Sequence, residues 1–247
     1  METFRKFKCL NALELKLLAM ALMLCDHLWA TLLPGQQWLT NAGRLAFPIF
    51  AFQIVEGYAH THDFKKYLKR LFFFGLISEI PFNLMTAGGL LNPFHQNVMF
   101  TFCLGLLLIR FLDRMKEKPW YIWFPAVVIT AVAGFLLGTL TFVDYYGYGI
   151  LMLLCFYLFR KAPNGWLGLL LSMLVINGEF MGGLTYEVTV LGRSVYLYQQ
   201  SLAVLALIPI WMYNGRQGPH RPWIQYGCYA FYPVHMLLLA LIWLAVA

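Results

Sequence analysis

An all-α bundle of about nine membrane-spanning helices is the fold this sequence predicts, as one domain over residues 1–247. Three observations predict it. Hydrophobic residues fill 61% of the 247 positions and charged residues only 12%, about half of the roughly 25% charge content of a soluble domain. Apolar runs of about 17–25 residues, long enough to cross a bilayer as helices, recur along the chain. The basic residues gather in alternate connections, the pattern of positive-inside topology. Because the net charge of +7 is then a topology signal, it does not imply a nucleic-acid partner.

The expected spans are roughly 12–31, 43–61, 67–86, 94–112, 119–138, 142–160, 164–182, 198–214 and 223–245. The first, within NALELKLLAMALMLCDHLWAT, holds Lys16, Asp26 and His27. Each charge in hydrocarbon costs at least about 2.5–3.5 kcal/mol, so three ionisable groups on one helix need a reason. Lys16 and His27 are eleven residues apart, close to three turns, and share one face about 16 Å apart along the axis. Asp26 lies about 100° round the helix from His27. A stripe ending in an ammonium and an imidazole suits a lined cavity.

The second span, GRLAFPIFAFQIVEGYAHT, starts near Arg44 and puts Gln53, Glu56 and His60 on one face. In the third, Pro81 frees the Ile77 carbonyl two residues from Glu79. The fourth opens on Gln96 and Asn97, which suit either a helix cap or a polar lining. The run 119–160 reads as two spans or as a re-entrant turn near Gly138–Gly149, with Asp144 an ordinary loop carboxylate. In the last span Pro233 frees the Tyr229 carbonyl shortly before His235. His62, His95 and His220 fall in loops and read as solvated.

Arg5, Lys6 and Lys8 precede the first span; further basic groups follow the second, fourth, sixth and eighth. The N-terminus is therefore expected in the cytoplasm, and every connection is expected to be short. Lys16 and the basic loop 65–70 then lie toward the cytoplasm, with Glu56 and His60. Asp26, His27, Glu79 and His235 lie in the middle or outer half, and Arg44, Gln96, Asn97 and Asp144 near the outer face. His27 and His235 fall at similar depth, about 18–22 Å from the inner helix ends by helical rise. The first helix is too long for a cleavable signal segment. Cys9, Cys25, Cys103, Cys155 and Cys228 are scattered, so neither a disulfide nor a metal cage is expected.

The segments KLLAMALMLCDH, GRLAFPIFAFQIVEGYAHT, RLFFFGLISEIPFNL, QNVMFT and YPVH together resemble the TraX family. That family includes proteins associated with conjugative pili and is implicated in N-terminal acetylation of pilin. It is similar in turn to a broader set of integral membrane acyltransferases, including the acyltransferase-three proteins and a lysosomal glucosamine N-acetyltransferase. Their shared mark is a basic residue, ten residues, then a histidine; here Lys16 and His27.

The resemblance implies a multi-pass acetyltransferase of the bacterial inner membrane, using cytoplasmic acetyl-CoA as acyl donor. Lys16, Lys65, Lys66, Lys69 and Arg70 would hold its phosphates. His27 would be the general base, or the carrier of an acetyl-imidazole. Asp26 or Glu79 would orient it. Arg44, Asn97 or His235 would stabilise the oxyanion or hold the acceptor, with Glu56 and Gln96 adding to substrate binding. The acceptor is extracytoplasmic: a pilin N-terminus, a glycan amine or a hydroxyl. Two other functions remain open on the residues alone. One is a proton-coupled transporter relaying through Glu56, Glu79 and the histidines; the other is a non-catalytic membrane partner in pilus assembly.

Overall fold

The computed structural model describes residues 8–190, 193–219 and 221–246; Arg5, Lys6 and His220 lie outside the described residues. The helices are α1 Ala12–Thr31, α2 Gln37–Gly43, α3 Ala46–His60, α4 Phe64–Ala87, α5 Val98–Met115, α6 Trp120–Leu140, α7 Tyr146–Phe159 and α8 Gly165–Leu174. The last of these continues as a wider turn over Val175–Phe180. Strands β1 Thr185–Val190 and β2 Arg193–Tyr198 follow, then a tight helix Gln199–Ala206, α9 Leu207–Trp211 and α10 Pro222–Val246. Each of the nine segments expected from hydropathy contains helix. Two of them, α6 and α10, are long and apolar enough to cross a membrane by length and composition.

Local chemistry sets the helix ends. Asn11 caps α1 by accepting from Leu13 and Glu14 N–H groups at 3.0 Å, while Glu14 reaches back to the Asn11 N–H at 2.8 Å. Asp63 caps α4, and Gly88, left-handed at φ 66°, ends it. Pro81 and Pro233 stay inside α4 and α10.

Two expectations are corrected and one alternative is decided. The chain is not wholly α-helical: TYEVTV and RSVYLY, rich in β-branched and aromatic residues, pair antiparallel from Thr185↔Tyr198 to Val190↔Arg193. Tyr186 ties this hairpin to α2, donating to Asn41 Oδ1 at 2.7 Å and accepting from Gln37 at 3.1 Å. The second span begins later than expected, because α2 ends at Gly43 and the chain bends at Arg44 before α3. The run 119–160 forms not a re-entrant turn but the two helices expected, an antiparallel pair joined by the turn 141–145. Its closeness depends on Gly147, where a Cβ would stand 2.3 Å from the Phe135 carbonyl oxygen.

Two apolar clusters form the core. The larger joins α1, α3, α5, α7 and α8 around Leu15, Ile49, Leu106, Ile109, Met152 and Leu153. The smaller joins α1, α4 and α10 around Met23, Phe82, Met85, Tyr232 and Met236. Apolar rows also face outward: Phe72, Phe73, Leu76, Ile77 and Ile80 on α4, and Leu238, Leu241 and Ile242 on α10. Water would penalise such continuous rows, whereas lipid tails accept them.

Candidate functional site

A cavity of about 610 Å³ lies between the two clusters, at the helix ends remote from the basic loops. Met23, Asp26 and His27 reach it from α1, Arg44 from the bend before α3, and Phe82 and Met85 from α4. Asp144 and Tyr145 line it from the turn before α7, His95 from the loop before α5, and Tyr232 from α10.

His27 and His235 meet beside this cavity. Nδ1 of His27 lies 2.7 Å from Nε2 of His235, with the ring planes 6° apart. Nδ1 of His235 lies 2.6 Å from the Phe231 carbonyl oxygen. A carbonyl only accepts, so His235 carries its proton on Nδ1, and its Nε2 lone pair must accept from His27. The His27 proton is thereby held on Nδ1, and its Nε2 keeps a free lone pair. Packing of α10 against α1 brings together two histidines 208 residues apart.

Asp26 does not join this pair. It forms an ion pair with Arg44, and Thr40 donates to the same carboxylate oxygen at 2.8 Å. Arg44 also donates to Gln200 at 3.4 Å, and Gln200 to the buried Asn177 at 3.0 Å. The expected role of Asp26 in orienting His27 is therefore replaced by one in fixing Arg44 on the cavity wall. The bend between α2 and α3 makes this possible, because Gly43 lets Arg44 sit against α1: a Cβ there would stand 2.4 Å from Asp26 Cβ.

Glu79 also serves elsewhere. It takes the Asn97 side-chain amide at 2.5 Å, and Asn97 gives its second amide bond to the Gly75 carbonyl at 2.9 Å. Asn97 is fully buried and caps α5 by accepting from Met99 N–H. Glu79 and Asn97 thus fasten α4 to the start of α5, in place of the roles in proton transfer and oxyanion binding. Gln96 bridges to Val143 through its backbone and bonds its side chain to the carbonyls of Asn92 and Pro93, which spends its amide inside the loop. Glu56 pairs with Arg160 at the basic end and lies away from the cavity, so it does not belong to the acceptor side.

Lys16, Lys65, Lys66, Lys69 and Arg70 are likewise absent from this cavity. Lys65, Lys66 and Lys69 are exposed on the first turns of α4. Arg70 turns inward over the Tyr67 and Tyr229 rings, 5.6 and 5.2 Å from their centroids. Lys16 is half-buried within electrostatic reach of Arg70.

His95 and Asp144, which read as loop residues, stand 3.5 Å apart on the cavity wall. The hydrogen bond with Asp144 raises the His95 pKa above its usual value. Nothing local in the sequence joins them. Their loops are brought together by the Gln96–Val143 bridge and by Thr101, which donates to the Asp144 carbonyl at 2.6 Å. The turn is strained as well, with Phe142, Tyr145 and Tyr146 all left-handed at φ 54°, 61° and 46°. Tyr145 stacks on Phe47 with ring centroids 3.8 Å apart.

A sequence model of the TraX protein family matches residues 12–243. A probable fimbrial assembly protein FimC, serogroup H1, from Dichelobacter nodosus is 29% identical over 245 residues, covering 93% of this chain and 94% of that protein. Protein TraX from Escherichia coli is 29% identical over 154 residues, which is 61% of this chain and 56% of that protein. No solved structure matches.

Proposed function

The chain belongs to the TraX family, and from that membership we propose that it is a multi-pass inner-membrane acetyltransferase acting in pilus assembly. It would move acetyl from cytoplasmic acetyl-CoA to an extracytoplasmic amine or hydroxyl. The relative named as a fimbrial assembly protein supports the pilus setting, and the outward apolar rows support the membrane setting.

The observation that carries the chemistry is the histidine pair at the cavity. A general base needs a lone pair aimed at the acceptor and a fixed tautomer. The chain of Phe231 carbonyl, His235 and His27 fixes the tautomer and leaves the His27 Nε2 lone pair free for an acceptor, which supports this reading. As the acceptor attacks the thioester carbon, its proton passes to His27 Nε2; the C–S bond then breaks, and the imidazolium, its Nδ1–H still on His235, returns the proton to the departing thiolate. Arg44, held by Asp26 on the same wall, faces the negative charge that develops on the carbonyl oxygen.

The donor supplies a thioester, an acyl group on a good leaving group. The basic helix ends fit its phosphates. Arg70 Nε is buried without a partner among the described residues, and Lys16 lies within electrostatic reach of it. Lys65, Lys66 and Lys69 extend that charge into solvent. Met20 and Met23 lie along α1 between Lys16 and His27 and give the track an apolar wall.

The test is transfer of labelled acetyl from acetyl-CoA by the purified chain in vesicles, with a pilin peptide and with amino sugars as acceptors. His27→Ala should lower transfer by roughly 10²–10⁴-fold. Absence of transfer to any acceptor, with His27→Ala leaving pilus assembly intact in cells, would instead support the non-catalytic assembly role that the FimC relative's name favours.

A further inference from the structure

A second cavity, of about 670 Å³, opens at the basic end of the same helix bundle. The inner ends of α3, α5 and α7 and the start of α6 form it, through Tyr58, Arg110, Asp113, Trp123, Tyr157 and Arg160. Between this cavity and the first lie Ile49, Leu106, Ile109 and Met152, all fully buried, so the two do not share one channel.

Its polar groups are unequally matched. Asp113 accepts from Tyr58 and Tyr157 at 3.0 and 3.1 Å, and from Lys116 at 3.2 Å. Arg160 is bound by both oxygens of Glu56. Arg110 donates to the Tyr58 hydroxyl at 3.4 Å and lies 5.6 Å over the Phe64 ring. Lys161 also lines the cavity and has no carboxylate partner among the described residues. Arg110 also lies 3.7 Å from Asp113, so Arg110, Lys116, Arg160 and Lys161 share two carboxylates, Asp113 in the cavity and Glu56 beside it. The cavity therefore carries an excess of positive charge that suits an anion.

Its rim is apolar and aromatic. Trp120, Tyr121 and Phe124, next to Trp123 on α6, are 79%, 62% and 65% exposed. Aromatic residues of this kind sit at the level of lipid headgroups, and basic pockets between helices on the cytoplasmic side hold phosphate headgroups. We propose that this cavity binds the phosphate of an anionic membrane lipid, with its acyl chains along the exposed face of α6. The proposal rests on the membrane reading and not on acetyl transfer.

Binding is measured with the full chain in phosphatidylcholine vesicles containing increasing brominated phosphatidylglycerol, read as quenching of tryptophan fluorescence. Insertion into plain phosphatidylcholine vesicles tests the membrane reading separately. Lys161→Gln should raise the half-saturating lipid fraction roughly fivefold, and Arg110→Gln with Lys161→Gln roughly thirtyfold. Arg114→Gln with Lys118→Gln removes equal charge from exposed positions outside the cavity and should shift it less than about twofold. Equal shifts from both pairs would overturn the site in favour of diffuse surface charge. Competition by millimolar inorganic phosphate would assign the cavity to a soluble phosphate and overturn the lipid.

Discussion

Replacing His235 with Leu is the sharpest probe of the histidine pair. The substitution keeps an apolar side chain against α1 but removes the acceptor for His27 Nδ1 found among the described residues, His235 Nε2 at 2.7 Å. A buried donor left without a partner costs about 1–3 kcal/mol. In the pair that energy holds both the tautomer and the ring direction, so its loss appears in the rate. At about 1.4 kcal/mol per tenfold, acetyl transfer should fall roughly 5- to 150-fold. The KM for acetyl-CoA should stay unchanged, because the basic residues lie at the other end of α1. His235→Gln places an amide oxygen near the lost Nε2 and should recover most of the rate. The assay is labelled acetyl transfer in vesicles, together with nitrogen NMR of the His27 ring. A His235→Leu rate equal to that of the unmodified chain, equal losses with Gln and Leu, or a resting His27 proton on Nε2 would refute the tautomer role of His235. With His27→Ala already present, adding His235→Leu should cause no further loss.

Three further outcomes are expected. The raised His95 pKa means that the stability contributed by its pairing with Asp144 is fully present below the unfolded value of 6.5 and fades as pH rises through the folded value. Thermal melts should therefore lose stability as pH rises above 6.5 and through the raised folded value, and Asp144→Asn should flatten that slope. Asp26→Asn should cost about 1–2 kcal/mol in denaturant unfolding, the pair being about a quarter exposed and partly screened. Asp26→Ala with Arg44→Ala should cost less than the sum of the single changes; simple additivity would mean that the pair is not coupled. Gly147→Ala forces a Cβ to within 2.3 Å of backbone oxygen and should cost about 3 kcal/mol or more, with α6 and α7 pushed apart; a melt unchanged from the parent chain would refute the close approach.

The helical segments were legible because each is a long apolar run, and hydropathy needs no knowledge of neighbours. The depth match of His27 and His235 was legible for the same reason: helical rise converts residue number into distance. The hairpin was less so, since two six-residue strands with exposed faces carry little hydrophobic pattern. Side-chain partners were the hardest part. Asp26 looked like the neighbour of His27 but turned to Arg44, and Glu79 turned to Asn97, because a helix aims adjacent residues about 100° apart. His95 and Asp144 looked like solvated loop groups until two loops closed over the cavity.

By itself, then, the sequence determined the run of apolar helices, the clustering of basic residues in alternate connections and the stripe from Lys16 to His27. These are properties of one segment at a time, set by period, length and charge. Only the tertiary structure decided which ring nitrogen of His27 is free. That depends on a carbonyl at Phe231 and an imidazole at His235, more than 200 residues along the chain. Packing of α10 against α1 and α4 puts them there, and no local pattern encodes that contact.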